Sequence, residues 1–174
     1  MDKLTQLAIK YGTDKWGKHH YTPVYHEMFK DRRDDIKKLI EIGPAEGAGL
    51  FMFRDYFKNA IIVGLEVDHN RVDNLQEIGE PIATFQFDQG EVKDICSYIE
   101  EFESADIVID DGSHNPIDQI FTFQAVMPYL KKGATYIIED VAETDIIGIL
   151  ATRYYVEVKE VGNRYDDRLI ICRK

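Results

Sequence analysis

The sequence predicts an α/β fold, a doubly wound and mostly parallel sheet of about seven strands closed by a C-terminal antiparallel hairpin. Three observations carry that expectation. Short apolar, β-branched runs at 38–42, 60–68, 82–90, 105–110 and 134–140 alternate with stretches of helical periodicity, the pattern of βα units. Those runs end on acids or on a glycine-rich turn, as buried parallel strands do when they surface into polar loops. An apolar fraction of 44% over 174 residues is enough for one core, so residues 1–174 are expected to form a single domain.

Taken in order, residues 1–10 pattern as a short amphipathic helix, with Leu4, Leu7 and Ala8 at helical spacing. Residues 11–23 mix glycine, hydroxyl, charged and aromatic side chains without a period and read as a loop. Composition favours a surface connection pinned by Trp16 and Tyr21 over a lid. A helix over 24–29 offers Tyr25, Met28 and Phe29 to the core, and the mixed charges of 31–35 read as a solvated face.

The strand at 38–42 runs into Gly43-Pro44-Ala45-Glu46-Gly47-Ala48-Gly49, where glycines let a ligand approach the backbone closely. The spacing is not that of a dinucleotide turn, so no pyrophosphate is specifically indicated. After the strand at 60–68, Asp68 suits the cap of a helix over 69–78. Glu66 instead lies about twenty residues past the glycine turn, where an acid holds ribose hydroxyls in nucleoside-binding folds. Asp88 and Gln89 end the next strand, either to meet an adenine amino group or to start a helix over 91–102. Asn115-Pro116 opens a helix with Ile117, Ile120, Phe121, Phe123 and Ala125 on its apolar face, closed by Lys131-Lys132-Gly133. A short helix over 143–152 precedes two strands, 153–161 and 168–172, joined through Gly162-Asn163.

The totals narrow the functions. A net charge of −11 disfavours nucleic-acid phosphates and anionic lipid as partners and suits a cationic ligand. No apolar run approaches membrane-spanning length, and the first twenty residues lack a signal-peptide core. Cys96 and Cys172 have neither metal-ligand spacing nor a disulfide framework, so both are expected to be buried free thiols in a reducing, cytoplasmic protein.

The most informative stretch is 105–114, where an apolar strand stops at Asp110-Asp111-Gly112-Ser113-His114. A second strand ends on Glu139-Asp140. Neighbouring strands that deliver paired acids to one edge of an open sheet suggest a site and a cation. With Gly12-Thr13-Asp14-Lys15, His20-Tyr21, Glu41-Ile42-Gly43 and Asp88-Gln89 in the same order, the chain resembles the class I S-adenosylmethionine-dependent methyltransferases. Within them it is similar to the metal-dependent sugar O-methyltransferases of macrolide biosynthesis.

That resemblance implies a Rossmann-like fold, with 1–35 an N-terminal helix and lid segment and 36–174 the α/β core. It implies that Asp111, Glu139 and Asp140 bind one Mg²⁺ and that His114 is the general base. Glu66 would hold the ribose of S-adenosylmethionine, Asp88 and Gln89 would lie near its adenine, and Glu41 and Gly43 would line its methionine side. Thr13 and Tyr21 would help enclose it. Strand alternation turns Asp110 away from Asp111, which assigns Asp110 to cofactor support. The implied acceptor is a small molecule with vicinal hydroxyls, a sugar first and a catechol second, because both chelate. A nonenzymatic S-adenosylmethionine- or metal-binding module is the reading from another class, and retention of His114 argues against it. Pairing of two copies through the sheet edge or the N-terminal helices is left open.

Overall fold

β1 (Lys38–Ile42) lies at the centre of the sheet and pairs in parallel with β2 (Ile61–Glu66) on one side and β4 (Ile107–Asp110) on the other. The computed structural model describes residues 1–174. β3 (Ile82–Gln86) flanks β2, and β5 (Thr135–Ile138) flanks β4, both in parallel. β6 (Val156–Glu160) and β7 (Arg168–Arg173) close the sheet antiparallel, with β7 inserted between β5 and β6. The seven-strand order β3-β2-β1-β4-β5-β7-β6 reverses direction between β1 and β4, where open α/β sheets leave a crevice beyond the strand ends.

The helices are α1 (Lys3–Tyr11), α2 (Tyr21–Phe29), α3 (Ala48–Tyr56), α4 (His69–Gln76), α5 (Val92–Ser97), α6 (Ile99–Ser104), α7 (Pro116–Val126) and α8 (Asp145–Leu150). Side chains alternate across the sheet. Leu39, Ile107, Ile109 and Ile137 join one core with α1, α2 and α3, whereas Ile40, Val108, Tyr136 and Ile138 join a second core with α7 and α8. The parity runs through the strand ends: Glu41, Asp111 and Glu139 follow the first set, and Asp110 follows the second.

Several sequence expectations need correction. Tyr21, Thr22 and Pro23 belong to α2, not to the preceding loop, because a proline in the first turn forfeits no helical hydrogen bond. The helix expected over 91–102 breaks at Tyr98, whose ring packs on Phe85 and Phe87, while Ser97 Oγ bonds back to Lys93 O at 2.7 Å. Cys96 is exposed, since the short α5 buries only Ile95; Cys172 is buried as expected. On α7, Ile117 is 73% exposed and Phe121 37%, and the buried face carries Gln119, Thr122, Phe123 and Val126. Asp68 does cap α4, accepting from Asn70 N and Arg71 N. No helix is long and apolar enough to cross a membrane.

Candidate active site

A cavity of about 590 Å³ opens over the β1–β4 crevice, within the range of small-molecule sites. Its cofactor-sized end is made by backbone turns. Gly43 has φ +76°, and a Cβ there would meet Asp111 O at 2.3 Å and Gly112 Cα at 2.7 Å, so only glycine lets the ends of β1 and β4 come this close. Glu66, buried at the end of β2, accepts from Ala45 N and Asp68 N, both at 3.0 Å, which fixes its carboxylate at the cavity wall. Asp88 accepts from Gly90 N at 2.9 Å and also faces the cavity.

Gln89 lines the cavity, but its side chain is already engaged. Its amide donates to both oxygens of Asp110 at 2.8 Å and its carbonyl accepts from Ser113 N at 3.0 Å. Asp110 is fully buried, accepts also from Tyr136 OH at 3.1 Å, and is off the cavity wall. Burial pushes its carboxyl up to about 7 against the pull of Gln89 and Tyr136. It therefore reaches a ligand only through Gln89, as its position opposite Asp111 in the strand requires.

The other end is built from charge. Lys15 is 2% exposed and donates to Asp111 Oδ2 at 2.7 Å and Glu139 Oε2 at 2.8 Å, with Glu41 Oε1 at 3.1 Å. This overturns the expectation that 11–23 is a surface connection: the loop folds inward and plants a lysine among three carboxylates. The burial of these groups opposes charge throughout. It drives Glu41, Asp111 and Glu139 upward despite Lys15, and Glu139 the furthest. For Lys15 the same burial is outweighed by Asp111, Glu139 and Glu41, which hold the ammonium well above its ordinary value. Glu139 Oε1 accepts from Tyr25 OH at 2.5 Å, so both of its oxygens have partners.

Asp140 is held from behind. Tyr21 OH donates to Asp140 Oδ1 at 2.5 Å, and His19 Nε2 lies 3.6 Å from Oδ2. His19 is oriented by Asp167, 2.7 Å from Nδ1. Tyr21 is thus a support for Asp140 and does not reach the cavity wall, whereas Thr13 does. His114 is 45% exposed at the cavity mouth, its Nε2 4.0 Å from Asp140 Oδ2. His114 and Asp140, with Ala45, adopt left-handed backbone conformations at φ +57°, +52° and +49°, a strained geometry that persists only where surroundings enforce it.

Ligand atoms of Asp111, His114 and Asp140 lie within 4.8 Å of one another. The two carboxylates suit a divalent cation, and the imidazole beside them stays free towards the cavity. Glu139 stands behind them, joined to Asp111 through Lys15. Lys15 was missed by the sequence reading, although a signal existed: residues 41, 111 and 139 share one sheet face, and buried acids on one face need a cation.

No family model matches the chain. Among curated proteins it is 33% identical to the 8-demethyl-8-alpha-L-rhamnosyl tetracenomycin-C 2'-O-methyltransferase of Streptomyces olivaceus, over 79% of this chain and 37% of that protein. It is 35% identical to the mycinamicin VI 2''-O-methyltransferase of Micromonospora griseorubida, over 79% of this chain and 35% of that protein. The chain thus spans about a third of the length of these relatives. The structure of the MycE methyltransferase of mycinamycin biosynthesis, in complex with Mg and SAH, matches 99% of this chain and 54% of that chain, with TM-score 0.79 and 26% identity. A further structure of that enzyme holds mycinamycin VI as well. Sheet order, crevice and sequence agree: the chain has the fold of the MycE methyltransferase and is similar, over about a third of their length, to the sugar O-methyltransferases of antibiotic biosynthesis.

Proposed function

We propose that this chain methylates a hydroxyl of a sugar or glycosylated small molecule, with S-adenosylmethionine as donor and a divalent cation, Mg²⁺, as cofactor. The observation that carries the reading is the convergence of Asp111, His114 and Asp140 at the mouth of a cavity whose other end holds Glu66. Glu66 binds the ribose, Asp88 lies by the adenine with Gln89 shaping that wall, and Glu41, Gly43 and Thr13 serve the methionine end. Asp111 and Asp140 would hold the cation, with Glu139 behind them as the third carboxylate of the cluster, tied to Asp111 through Lys15, and the ion would acidify an adjacent hydroxyl and fix its direction.

His114 takes the proton. It is the exposed base of the cluster, so it receives hydrogen from the acceptor and passes it to solvent. The acceptor oxygen then forms its bond to the sulfonium methyl carbon as the carbon–sulfur bond breaks, leaving S-adenosylhomocysteine. The walls supply the in-line orientation. A sugar with vicinal hydroxyls suits this site because one hydroxyl can be anchored while its neighbour reacts. We read residues 1–35 as the lid segment and 36–174 as the core of one catalytic domain. Two free thiols accord with work in the reducing cytoplasm.

The test is calorimetric titration of S-adenosylhomocysteine with and without Mg²⁺, followed by labelled-methyl assays on rhamnosides and catechols. Binding with Mg²⁺-dependent label transfer to a glycoside is expected. Binding without transfer to any acceptor favours a nonenzymatic module, and transfer to catechols alone overturns the sugar assignment.

A further inference from the structure

The ammonium of Lys15 donates to Asp111 and Glu139 and pairs with Glu41 at 3.1 Å, so three carboxylates surround one buried cation. Those partners come from the ends of β4, β5 and β1, adjacent strands of the sheet. Lys15 itself comes from the segment that supplies Thr13 and Asp14 to the cavity wall. One side chain therefore ties the N-terminal segment, the methionine end of the cavity and two acids of the cation cluster into a single knot.

We propose that Lys15 is a positioning residue: it aims Asp111 and Glu139 and docks residues 12–20 against the strand ends, so that closing the cavity wall and assembling the cation ligands are one event. The inference rests on the cation reading above and adds to it a residue whose ammonium is engaged by carboxylates. Lys15 holds Oδ2 of Asp111, and a carboxylate oxygen of the same residue lies within 4.8 Å of ligand atoms of His114 and Asp140. The rest of the loop supports the same docking, with Tyr21 N donating to Lys15 O at 3.1 Å and His19 N to Asp14 O at 3.0 Å. His19 is also anchored independently to Asp167. Loss of Lys15 thus leaves one anchor of the loop in place, and circular dichroism checks that the variant, whose buried carboxylates lose their counter-charge, is folded.

The direction of the effect on the cation separates two roles. A lysine that acted only as a nearby positive charge would repel a divalent ion, and its removal would tighten binding. A lysine that positions ligands has the opposite effect. The experiment uses Mn²⁺ followed by electron paramagnetic resonance, cleavage by trypsin after Lys18, and the emission of Trp16, the chain's one tryptophan and the neighbour of Lys15. In Lys15→Met we expect Mn²⁺ binding weakened by about tenfold or more, faster cleavage at Lys18 and a red-shifted Trp16 emission, with the far-ultraviolet circular dichroism of the unaltered chain retained. Lys15→Arg, which keeps the charge, is expected to restore docking and most of the Mn²⁺ affinity. Unchanged or tighter Mn²⁺ binding in Lys15→Met, or an unchanged cleavage pattern, overturns the proposal. If the unaltered chain binds no Mn²⁺, the cation reading fails, and the trypsin and emission results then decide the docking role alone.

Discussion

The two ends of the cavity are built on different principles. At the Glu66 end, a single carboxylate is fixed by two backbone N–H groups at a glycine-rich turn, and solvent is close. At the Lys15 end, buried acids surround one buried base, and every partner comes from a different part of the chain. The first end tolerates change in its neighbours because its geometry is local. The second end is a mutual arrangement of charges, in which removing one partner strands the rest away from water.

His114→Ala should separate the ends most sharply. Labelled-methyl transfer is expected to fall by about 10²–10⁴-fold, the usual worth of a general base, while calorimetry finds S-adenosylhomocysteine affinity nearly intact. An equal loss in both measurements would mean that the two ends are not separable. Gly43→Ala strikes the junction where both ends meet. Its Cβ collides with the backbone of Asp111 and Gly112, and its positive φ disfavours a side chain, so urea denaturation should show a loss of about 3 kcal/mol.

Tyr21→Phe tests the support beneath Asp140. Removing the hydroxyl that donates to Asp140 Oδ1 should cost about 1–2 kcal/mol in stability and weaken Mn²⁺ binding about tenfold. Asp55→Asn is the control outside both ends. The Lys10 ammonium and the Tyr11 hydroxyl hold the Asp55 carboxyl well below the usual carboxylate range. A depressed carboxylate stabilises the fold above its ordinary titration range, and that contribution disappears as the pH falls through the depressed value. Melting should therefore show a deficit of under about 1 kcal/mol for Asp55→Asn at pH 7, closing in strong acid, with methyl transfer unaffected.

The same contrast explains what could be read from the sequence. Strand alternation foretold that Asp110 and Asp111 face opposite ways, and acids at the ends of 105–110 and 134–140 marked the site edge. These are local, periodic signals. Lys15 lay in a segment without a period, and its partners at 41, 111 and 139 are joined only by the sheet. α7 was misread for a related reason. Its apolar residues surround the helix, and the buried face was decided by the need to satisfy the strand ends, with Gln119 donating to Glu139 O at 3.1 Å.

The position of β7 also bears on how the molecule comes into being. Its Leu169 and Ile171 enter one core while Ile170 and Cys172 enter the other, and it separates β5 from β6. A nascent chain on the ribosome carries an open flank on β5 until residues 168–173 have emerged, some thirty residues after their partner. Native assembly of the sheet is thereby deferred until β7 is made, and the same unpaired flank is where a chain stalled or cut before β7 would aggregate.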